Sequence, residues 1–381
     1  MTELRLDRLV LSSFRNYRRL VWEPQGSPLV ITGDNGSGKT NLLEALSLLV
    51  PGRGLRGARN SEFPRRDQLT GETNPAGWGV VAQFSDTRGS FELSTGMEAE
   101  QGGTRKFLLD GQPMKGRDAV ADYLSAVWLT PQMDRLFGES ASGRRRFLDR
   151  LVVALTPHHA RELAACERAT AQRNRFLAEG RTDDVWLAGI EDAMARHGVA
   201  VVAARRDLVA RLNAVGVDKQ NAFPAASLSL ICPISDRLED EPALAVEEWL
   251  RNALRNARPV DRQRGMATFG AQRSDFALQD VETGRSASEA STGQQKALLI
   301  GVILAHARLL GSAGGVPPML LLDEPLVHLD QRRREALLET LLDFRTPVLL
   351  TGTDRAPFEA LSGKGFFMHL CDGIPQETVT L

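Results

Sequence analysis

The sequence predicts an α/β fold in which a nucleotide-binding lobe is split along the chain by an inserted helical arm. Three observations lead to this prediction. A glycine-rich loop lies between a short apolar run at 29–31 and a helical pattern at 41–46. A second apolar run, at 319–322, ends in two acidic residues. Between them, 158–223 lacks proline and is rich in Ala, Leu, Arg and Glu, a composition typical of helices.

The composition sets broad limits on the class of protein. A chain of 381 residues is long enough for two domains, and 42% hydrophobic residues is ordinary for a globular protein. The net charge is −1, so any surface for nucleic acid must be local. The three cysteines lack metal-ligand spacing, which fits a reducing cytosol. No apolar run approaches about 18 residues and the N-terminus lacks a signal-peptide core, so we expect a soluble, cytoplasmic protein without a membrane partner.

The glycine-rich loop at 33–40 matches the phosphate-binding pattern G-x-x-x-x-G-K-[ST] at every fixed position. Its glycines allow backbone N–H groups to surround a phosphate, and the following helix adds the positive end of its dipole. Lys39 can reach the β- and γ-phosphates, and the Thr40 hydroxyl can ligate Mg²⁺. The alternative, a turn without a ligand, is disfavoured by the flanking strand and helix. We therefore expect ATP and Mg²⁺ as cofactors, with the nucleotide held by Gly33, Asp34, Asn35, Gly36, Ser37, Gly38, Lys39 and Thr40.

The acidic pair after the run at 319–322 is a candidate catalytic site. Asp323 can hold Mg²⁺, directly or through water, and Glu324 is placed to polarise the attacking water as general base. An acidic pair that only caps a strand is the alternative, and the phosphate-binding loop upstream argues against it. Gln132 follows another predicted strand at 127–129, and it either contacts Mg²⁺ or water or is a surface glutamine. The expected catalytic residues are Glu324 and Lys39, and the expected metal ligands are Thr40, Asp323 and Gln132.

A second anion site is predicted at 291–295, where a helix begins. Ser291, Gly293 and Gln294 would supply it, but it lies about 250 residues from the first site. It makes sense if it closes on the γ-phosphate of a nucleotide held by another copy, which gives an ATP-dependent homodimer. Ser-x-Gly-Gln is common by chance, and only its position some 30 residues before the acidic pair gives it weight. Asp330 lies in a loop that could cross to the second subunit.

Two groups of arginines are candidate contacts with DNA phosphates, and a solvated charged face is the alternative for both. The first group is Arg53, Arg56, Arg59, Arg65 and Arg66, opposed only by Glu62 and Asp67. The second group is Arg251, Arg255 and Arg258, on one face of a helix expected at 245–258 and ending before Pro259. Arg15 could lie over a nucleotide phosphate or base, or be a solvated turn arginine.

The helical arm is expected to begin with a helix over 158–179 and a break at 180–183, where Thr182 or Asp183 caps the next helix. That second helix carries apolar residues at steps of three and four from Trp186 to Leu212, a coiled-coil-like seam roughly 40 Å long. His197 lies on this seam and is expected to pack rather than bind metal. Elsewhere, strands are expected at 3–11, 348–350 and 366–368, with a small antiparallel sheet over 80–109 followed by a turn at 110–111.

Several segments occur in the order found in the RecF family. They are Phe-Arg-Asn-Tyr at 14–17, the loop at 33–40, Arg-Arg-Phe-Leu-Asp at 145–149, Gln-Arg-Asn at 172–174, Arg-Ser-Asp at 273–275, the segment 291–295, and 320–325. The chain therefore resembles RecF, a bacterial family related to SMC and ABC-type ATPases. The resemblance spans essentially the whole length and is strongest in about the first 60 and last 110 residues.

The resemblance implies a P-loop ABC/SMC-type ATPase head, with residues 1–130 and 265–381 in the ATPase lobe and 131–264 in the arm. It implies a DNA-binding ATPase of replication, recombinational repair and the DNA-damage (SOS) response, associated with the nucleoid. In the family, ATP drives dimerisation on DNA at gaps and single-strand/double-strand junctions, and RecO and RecR assist in loading RecA. Two departures, Thr292 for a common signature glycine and Thr353 in a segment without the usual histidine, predict slow, weakly DNA-stimulated hydrolysis.

Three rival functions are weighed against this one. An ABC transporter ATPase would need a membrane partner, and the helical pair is longer than transport requires. A full SMC-type structural protein would need hundreds of heptad residues, which the sequence lacks. A DNA-binding scaffold without catalysis would not need Glu324.

Overall fold

The structure is a computed structural model that describes residues 3–66, 77–98, 105–180, 183–215, 223–312 and 318–377. By its internal contacts the chain forms two compact units. The first unit contains Met1–Asp134, Gln220–Pro224 and Ser291–Leu381, and the second contains Arg135–Lys219 and Ala225–Ala290. In the part of the chain that is described, no helix is long and apolar enough to cross a membrane.

The elements follow in chain order. The N-terminal part of the first unit contains β1 (Arg5–Phe14), β2 (Tyr17–Trp22), β3 (Leu29–Thr32), α1 (Lys39–Ser47), β4 (Trp78–Asp86), β5 (Gly89–Met97), β6 (Lys106–Leu109), β7 (Gln112–Pro113) and β8 (Ala126–Leu129). The second unit contains α2 (Ala141–Leu155), α3 (His159–Ala178), α4 (Asp184–Val215), β9 (Ala226–Ile231), α5 (Pro233–Asp240), α6 (Ala243–Arg264) and β10 (Asp275–Asp280). The C-terminal part of the first unit contains α7 (Thr292–Ser312), β11 (Met319–Leu322), α8 (Gln331–Leu342), β12 (Val348–Gly352), β13 (Phe366–Cys371) and β14 (Ile374–Glu377).

A mostly parallel sheet forms the centre of the first unit, in the strand order β14-β13-β3-β12-β11-β8. Only the β13–β14 pairing is antiparallel. Every residue of β3, β8 and β11 is buried, as expected of strands covered on both faces. Because parallel strands end at the same edge, the phosphate-binding loop after β3 and the acidic pair after β11 lie at one edge of this sheet.

An antiparallel sheet in the same unit has the order β2-β1-β4-β5-β6-β7. Residues alternate between buried and partly exposed along β4, the pattern of a strand with one face on a core. Asp110 and Gly111 both have positive φ, 48° and 75°, which suits a two-residue hairpin turn between β6 and β7. The predicted small sheet is therefore confirmed, and it also includes β1 and β2.

The second unit is mainly helical and contains a core of buried ion pairs. The guanidinium of Arg173 is fully buried and donates to Glu191 at 2.9 Å and to Asp261 at 2.6 Å. Arg205 donates to both carboxylate oxygens of Asp149, at 2.7 and 2.8 Å. Burial opposes ionisation of Asp149, yet the hydrogen bonds with His159 and Arg205 hold its pKa below the ordinary value of 3.8. These pairs involve two of the segments that carry the RecF resemblance, 145–149 and 172–174.

The structure corrects two predictions about the arm helices. The helix expected to end before Pro259 continues through it to Arg264. Asp261, just beyond the proline, is buried and bound to Arg173 and Thr268, so tertiary contacts hold the last turn despite the lost hydrogen bond. Trp186, expected on the packed seam, is 58% exposed. The helix that follows the predicted break at 180–183 has one of the two expected caps, because the Trp186 N–H donates to Asp183. Thr182 lies outside the described residues.

The lobe boundary also differs from the expected one. Residues 265–290, which the sequence assigned to the ATPase lobe, belong to the second compact unit. The reason lies in β10, which pairs with β9 along its whole length, and in Asp275, which accepts two hydrogen bonds from Arg144 at 2.8 and 2.7 Å. Those strands were not predicted. The division into an ATPase lobe and a functional arm remains a prediction.

Candidate nucleotide-binding site

The phosphate-binding loop connects β3 to α1, and the side chain of Lys39 contacts the backbone of this loop. Lys39 is 5% exposed, and its Nζ donates to the carbonyls of Gly33 at 2.6 Å and Asp34 at 2.8 Å. Burial lowers the pKa of Lys39, and the carboxylates of Glu324, Asp323 and Asp34 oppose this shift. The ammonium therefore lies close to the acidic pair predicted from sequence.

The loop also fits an anion. Within the described residues, the Ser37 hydroxyl is buried without a hydrogen-bond partner, while Asp34, Asn35 and Gly36 are exposed. A buried polar group without a partner is uncommon, and a phosphate oxygen would satisfy this one. The loop is thus a cradle with an exposed rim, a buried cation and one unsatisfied donor.

The segment 14–17 supports this loop through hydrogen bonds to two of its carbonyl groups. The Tyr17 hydroxyl donates to the Gly38 carbonyl at 3.0 Å, and the Asn16 amide donates to the Ser37 carbonyl at 3.4 Å. Gly38 has φ 108°, and a Cβ there would lie 2.5 Å from Asn16 Nδ2 and 2.8 Å from the Tyr17 hydroxyl. Burial raises the pKa of Tyr17. Glycine is therefore required at 38 both by backbone conformation and by close packing.

Arg15, proposed from sequence to contact the nucleotide, has another partner in the structure. Its guanidinium donates to both carboxylate oxygens of Glu44, at 2.8 and 2.9 Å. Glu44 is fully buried in α1, and Arg56 is a second donor to it at 3.2 Å. Arg15 is thus neither a solvated turn arginine nor visibly aimed at a phosphate, and its contact with nucleotide remains a prediction.

Asp323 lies directly beside the loop, as expected from sequence. Its Oδ1 accepts hydrogen bonds from the hydroxyls of Thr40 at 3.1 Å and Thr351 at 2.7 Å. A hydroxyl and a carboxylate are hard oxygen donors, which suit Mg²⁺ shared with phosphate oxygens. In the described part of the chain no group of three or more His, Cys, Asp or Glu side chains could hold a metal alone. The hydroxyl of Thr40 and the carboxylate of Asp323, 3.1 Å apart, fit Mg²⁺ that is bound together with a nucleotide.

Glu324 has an unusual backbone conformation, with φ 49°. Its N–H donates to the Thr351 hydroxyl at 2.9 Å, and its carbonyl accepts from Lys296 at 3.0 Å. The residue is half-buried and lines a pocket of about 120 Å³. The other residues that line this pocket are Leu326, Val327, Arg334, Thr351, Gly352, Thr353, Asp354, Pro357 and Phe358. Thr353, which stands in the segment that lacks the usual histidine, faces the same pocket as Glu324.

The segment 291–295, called the signature segment below, forms the first turn of α7. Ser291 Oγ accepts from the Gln294 N–H at 3.4 Å, while Gln294 Oε1 accepts from the Ser291 N–H at 3.0 Å, which is a reciprocal capping box. Gln294, proposed as a nucleotide contact, therefore has a local role at the helix start. Ser291 itself is exposed. Gly293 contacts the loop before α8, because a Cβ on it would lie 2.6 Å from the His328 carbonyl.

The remaining proposed residues lie apart from this centre. Gln132 follows β8 in a short 3₁₀ turn and is exposed, so it stays a candidate ligand only. Asp330, proposed to cross to a second subunit, caps α8 by accepting from the Arg333 N–H at 2.9 Å. His197 Nδ1 is within hydrogen-bond distance of Glu162 Oε2, at 2.8 Å, so His197 is a half-buried residue that pairs with a carboxylate in the second unit.

The two arginine groups differ in their surroundings. Arg53, Arg59 and Arg66 are exposed. In the second group, Arg251 pairs with Asp192 and Glu248, and Arg258 pairs with Glu191 and Asp184. Of that group only Arg255 is exposed. The first group is therefore the better candidate for contacts with DNA phosphates.

Sequence reasoning missed four residues that the structure brings to this site. Asn16 and Tyr17 were noted only as part of a family segment, and Thr351 and Lys296 were not singled out. The available signals were a threonine that directly follows the apolar run 348–350 and a lysine five positions after Ser291.

These features define a P-loop ATPase of the ABC type, in which an acidic pair and a helix-capping signature accompany the phosphate-binding loop. A family model for the RecF/RecN/SMC N-terminal domain matches residues 5–353. The DNA replication and repair protein RecF of Mesorhizobium japonicum is 41% identical over 97% of this chain and 96% of its own length. RecF of Rhizobium rhizogenes is 42% identical, over 97% of both chains. The chain belongs to the RecF family.

Solved structures confirm the fold. The recombination mediator protein RecF with ATPrS, from the RecFOR pathway, superposes with a TM-score of 0.83 at 22% identity and covers 99% of both chains. RecF with ATP gives 0.78 at 21% identity, covering 99% of this chain and 100% of that one. The SMC head domain of Pyrococcus furiosus gives 0.53 at 13% identity, covering 98% and 96%. The predicted ABC/SMC-type head is therefore correct.

Proposed function

We propose that this protein is an ATP-dependent DNA-binding protein of recombinational repair, which dimerises on ATP and hydrolyses it slowly. The observation that carries the proposal is the meeting of Lys39, Thr40 and Asp323 with Glu324 at one sheet edge. The names of its relatives support a role in DNA replication and repair. A RecF structure is named for the RecFOR pathway, and we propose that this protein acts with RecO and RecR and helps to load RecA.

ATP binding rests on the loop and its support. Lys39 supplies a fixed positive charge for the β- and γ-phosphates, and backbone N–H groups with the Ser37 hydroxyl supply neutral donors. Thr40 and Asp323 would hold Mg²⁺, which when bound neutralises charge that develops on the phosphates. Lys39→Ala should therefore abolish ATP binding and leave the fold intact.

Hydrolysis rests on Glu324. Burial lowers the pKa of Lys39 and the charge of Glu324 opposes this shift, so we expect the Glu324 carboxylate to face the γ-phosphate that Lys39 binds. A carboxylate there can accept the proton of an attacking water. The pocket around it holds Thr353 and Asp354 in place of an imidazole, and this supports the expectation of slow turnover.

Dimerisation rests on Ser291. The capping box leaves its exposed side at the positive end of α7, a helix of 21 residues. The nucleotide of the same chain is bound by the loop at 33–40, so Ser291 is free to bind another anion. We propose that this anion is the γ-phosphate of the nucleotide held by a second subunit. ATP then contacts both subunits, and its binding energy contributes to association.

Sedimentation of three variants tests the proposal with ATP, with ADP and without nucleotide. Glu324→Gln keeps size but lacks the base, so it should accumulate as an ATP-bound dimer. Ser291→Arg should bind ATP normally and remain monomeric. Ser288→Arg, which adds the same side chain at a nearby exposed serine outside the signature, is the matched control and should dimerise. A Ser291→Arg protein that dimerises with ATP as well as the control would contradict the sandwich arrangement.

A further inference from the structure

We propose that Thr351 and Lys296 are positioning residues, which hold the backbone of Glu324 so that its carboxylate meets the attacking water. We also infer that Lys296 links the helix of Ser291 to hydrolysis. The inference rests on the proposed function, because it takes Glu324 as the general base.

The backbone of Glu324 needs external support. Its φ of 49° is in the left-handed region, which few residues other than glycine adopt. Such a conformation persists where the surrounding structure holds it, and it is common at catalytic sites. Here both polar groups of the residue's backbone are held by side chains, one from β12 and one from α7.

Thr351 holds the N–H side. Its hydroxyl is fully buried, donates to Asp323 Oδ1 at 2.7 Å and accepts from the Glu324 N–H at 2.9 Å. One hydroxyl thus fixes the carboxylate of one acidic residue and the backbone of the next. Valine has the same shape but can do neither, whereas serine can do both.

Lys296 holds the carbonyl side. It is fully buried, and its Nζ donates to the Glu324 carbonyl at 3.0 Å and to Asp134 Oδ2 at 3.1 Å. Burial lowers the pKa of Lys296, and the carboxylate of Asp134 opposes this shift. The side chain therefore joins α7 to the residues that follow β8 and β11.

The first turns of α7 contact the loop after β11 at two points. Lys296 contacts the Glu324 carbonyl, and Gly293 packs against the His328 carbonyl. Ser291 begins this same helix. When Ser291 engages a partner's nucleotide, any shift of α7 is transmitted to Glu324. Association and hydrolysis are coupled in this way, without a direct contact between Ser291 and the base.

Paired substitutions test the positioning role. Thr351→Val should lower kcat for ATP by about 10²-fold, the scale of a misplaced catalytic group. The ATP dissociation constant measured without Mg²⁺ should change less than about threefold, because the loop at 33–40 is untouched. Thr351→Ser should restore nearly all of the rate. Lys296→Met alone leaves Asp134 buried without its partner, so it is combined with Asp134→Asn, and this double variant should also lose kcat with ATP affinity kept.

Two measurements separate positioning from general damage. In nucleotide-free protein, hydrogen exchange at the Glu324 amide should quicken in Thr351→Val and stay slow in Thr351→Ser, because only valine removes its acceptor. In the Glu324→Gln background, Thr351→Val should cause no further loss of turnover, since coupled residues are not additive.

The outcomes are distinct. Equal turnover in Thr351→Val and Thr351→Ser would overturn the positioning inference, as would a full further loss in the Glu324→Gln background. Wild-type turnover in Glu324→Gln alone would instead overturn the assignment of the base, and with it the proposed mechanism of hydrolysis.

Discussion

The pairing of Arg15 with Glu44 makes a testable prediction about stability. Arg15→Met removes two charge-assisted hydrogen bonds, at 2.8 and 2.9 Å, from a carboxylate that is fully buried in α1. Arg56 remains as a donor at 3.2 Å, but its side chain is 36% exposed. Glu44 is then left with one weaker partner in a site that water does not reach.

The magnitude follows from these contacts. Breaking a buried ion pair by removing one partner costs about 3–5 kcal/mol. The residual contact with Arg56 and the 20% exposure of the Arg15 side chain reduce this to the lower end, about 3 kcal/mol. For a domain of about 150–250 residues, one kcal/mol lowers Tm by about 2–4 °C, so the expected fall is about 6–12 °C.

Thermal unfolding and ATP affinity are measured on Arg15→Met, Glu44→Met and the double variant. The double variant should recover most of the lost stability, because an apolar pair leaves no buried charge. If Arg15 acts only through Glu44, the double variant also binds ATP like the wild type. Equal destabilisation of the single and double variants would refute the reasoning. Full stability combined with weak ATP binding in the double variant would return Arg15 to the nucleotide site.

Three further predictions concern other parts of the chain. Gly293→Ala places a methyl group 2.6 Å from a carbonyl oxygen, so ATP-dependent dimerisation should weaken at least about tenfold while ATP affinity is unchanged, as measured by sedimentation and equilibrium dialysis. Replacing Arg53, Arg59 and Arg66 by alanine should lower the slope of log K against log[salt] for duplex DNA by about 0.9 per lost phosphate contact. The folded pKa of Asp149 lies below the ordinary value of 3.8, so its stabilising contribution is complete above about pH 5 and is lost as pH falls through 3.8 and below. Asp149→Asn should flatten this acid limb of the unfolding curve.

Each of these has a control or a contrary outcome. Gly301→Ala, in the same helix with its nearest non-local atom 3.5 Å away, should dimerise normally. Replacing Arg168 and Arg285, which are exposed, by alanine should leave the slope of log K against log[salt] unchanged. The same decrease in these variants would mean that DNA affinity depends only on the net charge of the protein. An acid limb that is identical in wild type and Asp149→Asn would show that other carboxylates govern it.

The parts of the fold with strong local signals could be predicted from sequence. The run at 319–322 is apolar at every position, so it reads as a buried parallel strand, and 33–40 fixes both a turn and a helix start. The strand pair β9–β10 could not be predicted, because its members are separated by two helices and carry mixed polar residues. The helix end at Pro259 was predicted wrongly for a similar reason, since Asp261 beyond it is held by Arg173, which lies 88 positions away.

In the candidate site too, residues in local motifs could be predicted, and residues defined by long-range contacts could not. Lys39, Thr40 and Asp323 are fixed by motifs whose spacing is local, and the structure brings them together. Thr351 and Lys296 act through backbone groups of Glu324, and no sequence pattern shows which carbonyl or amide a side chain will reach. Arg15 shows the converse, because a conspicuous arginine near the loop is engaged by a carboxylate 29 positions away.

The contact of Lys39 with two carbonyls of its own loop has a consequence for how ATP is received. Two of the three ammonium donors are already engaged, so the long side chain is immobilised when the protein folds rather than when the ligand arrives. The third donor stays available for a phosphate, and the charge is already in place when the nucleotide binds. Nucleotide binding therefore depends on the position of the cation as well as on its charge. An arginine at 39, although cationic, could not make the same two hydrogen bonds to carbonyls in a site only 5% exposed.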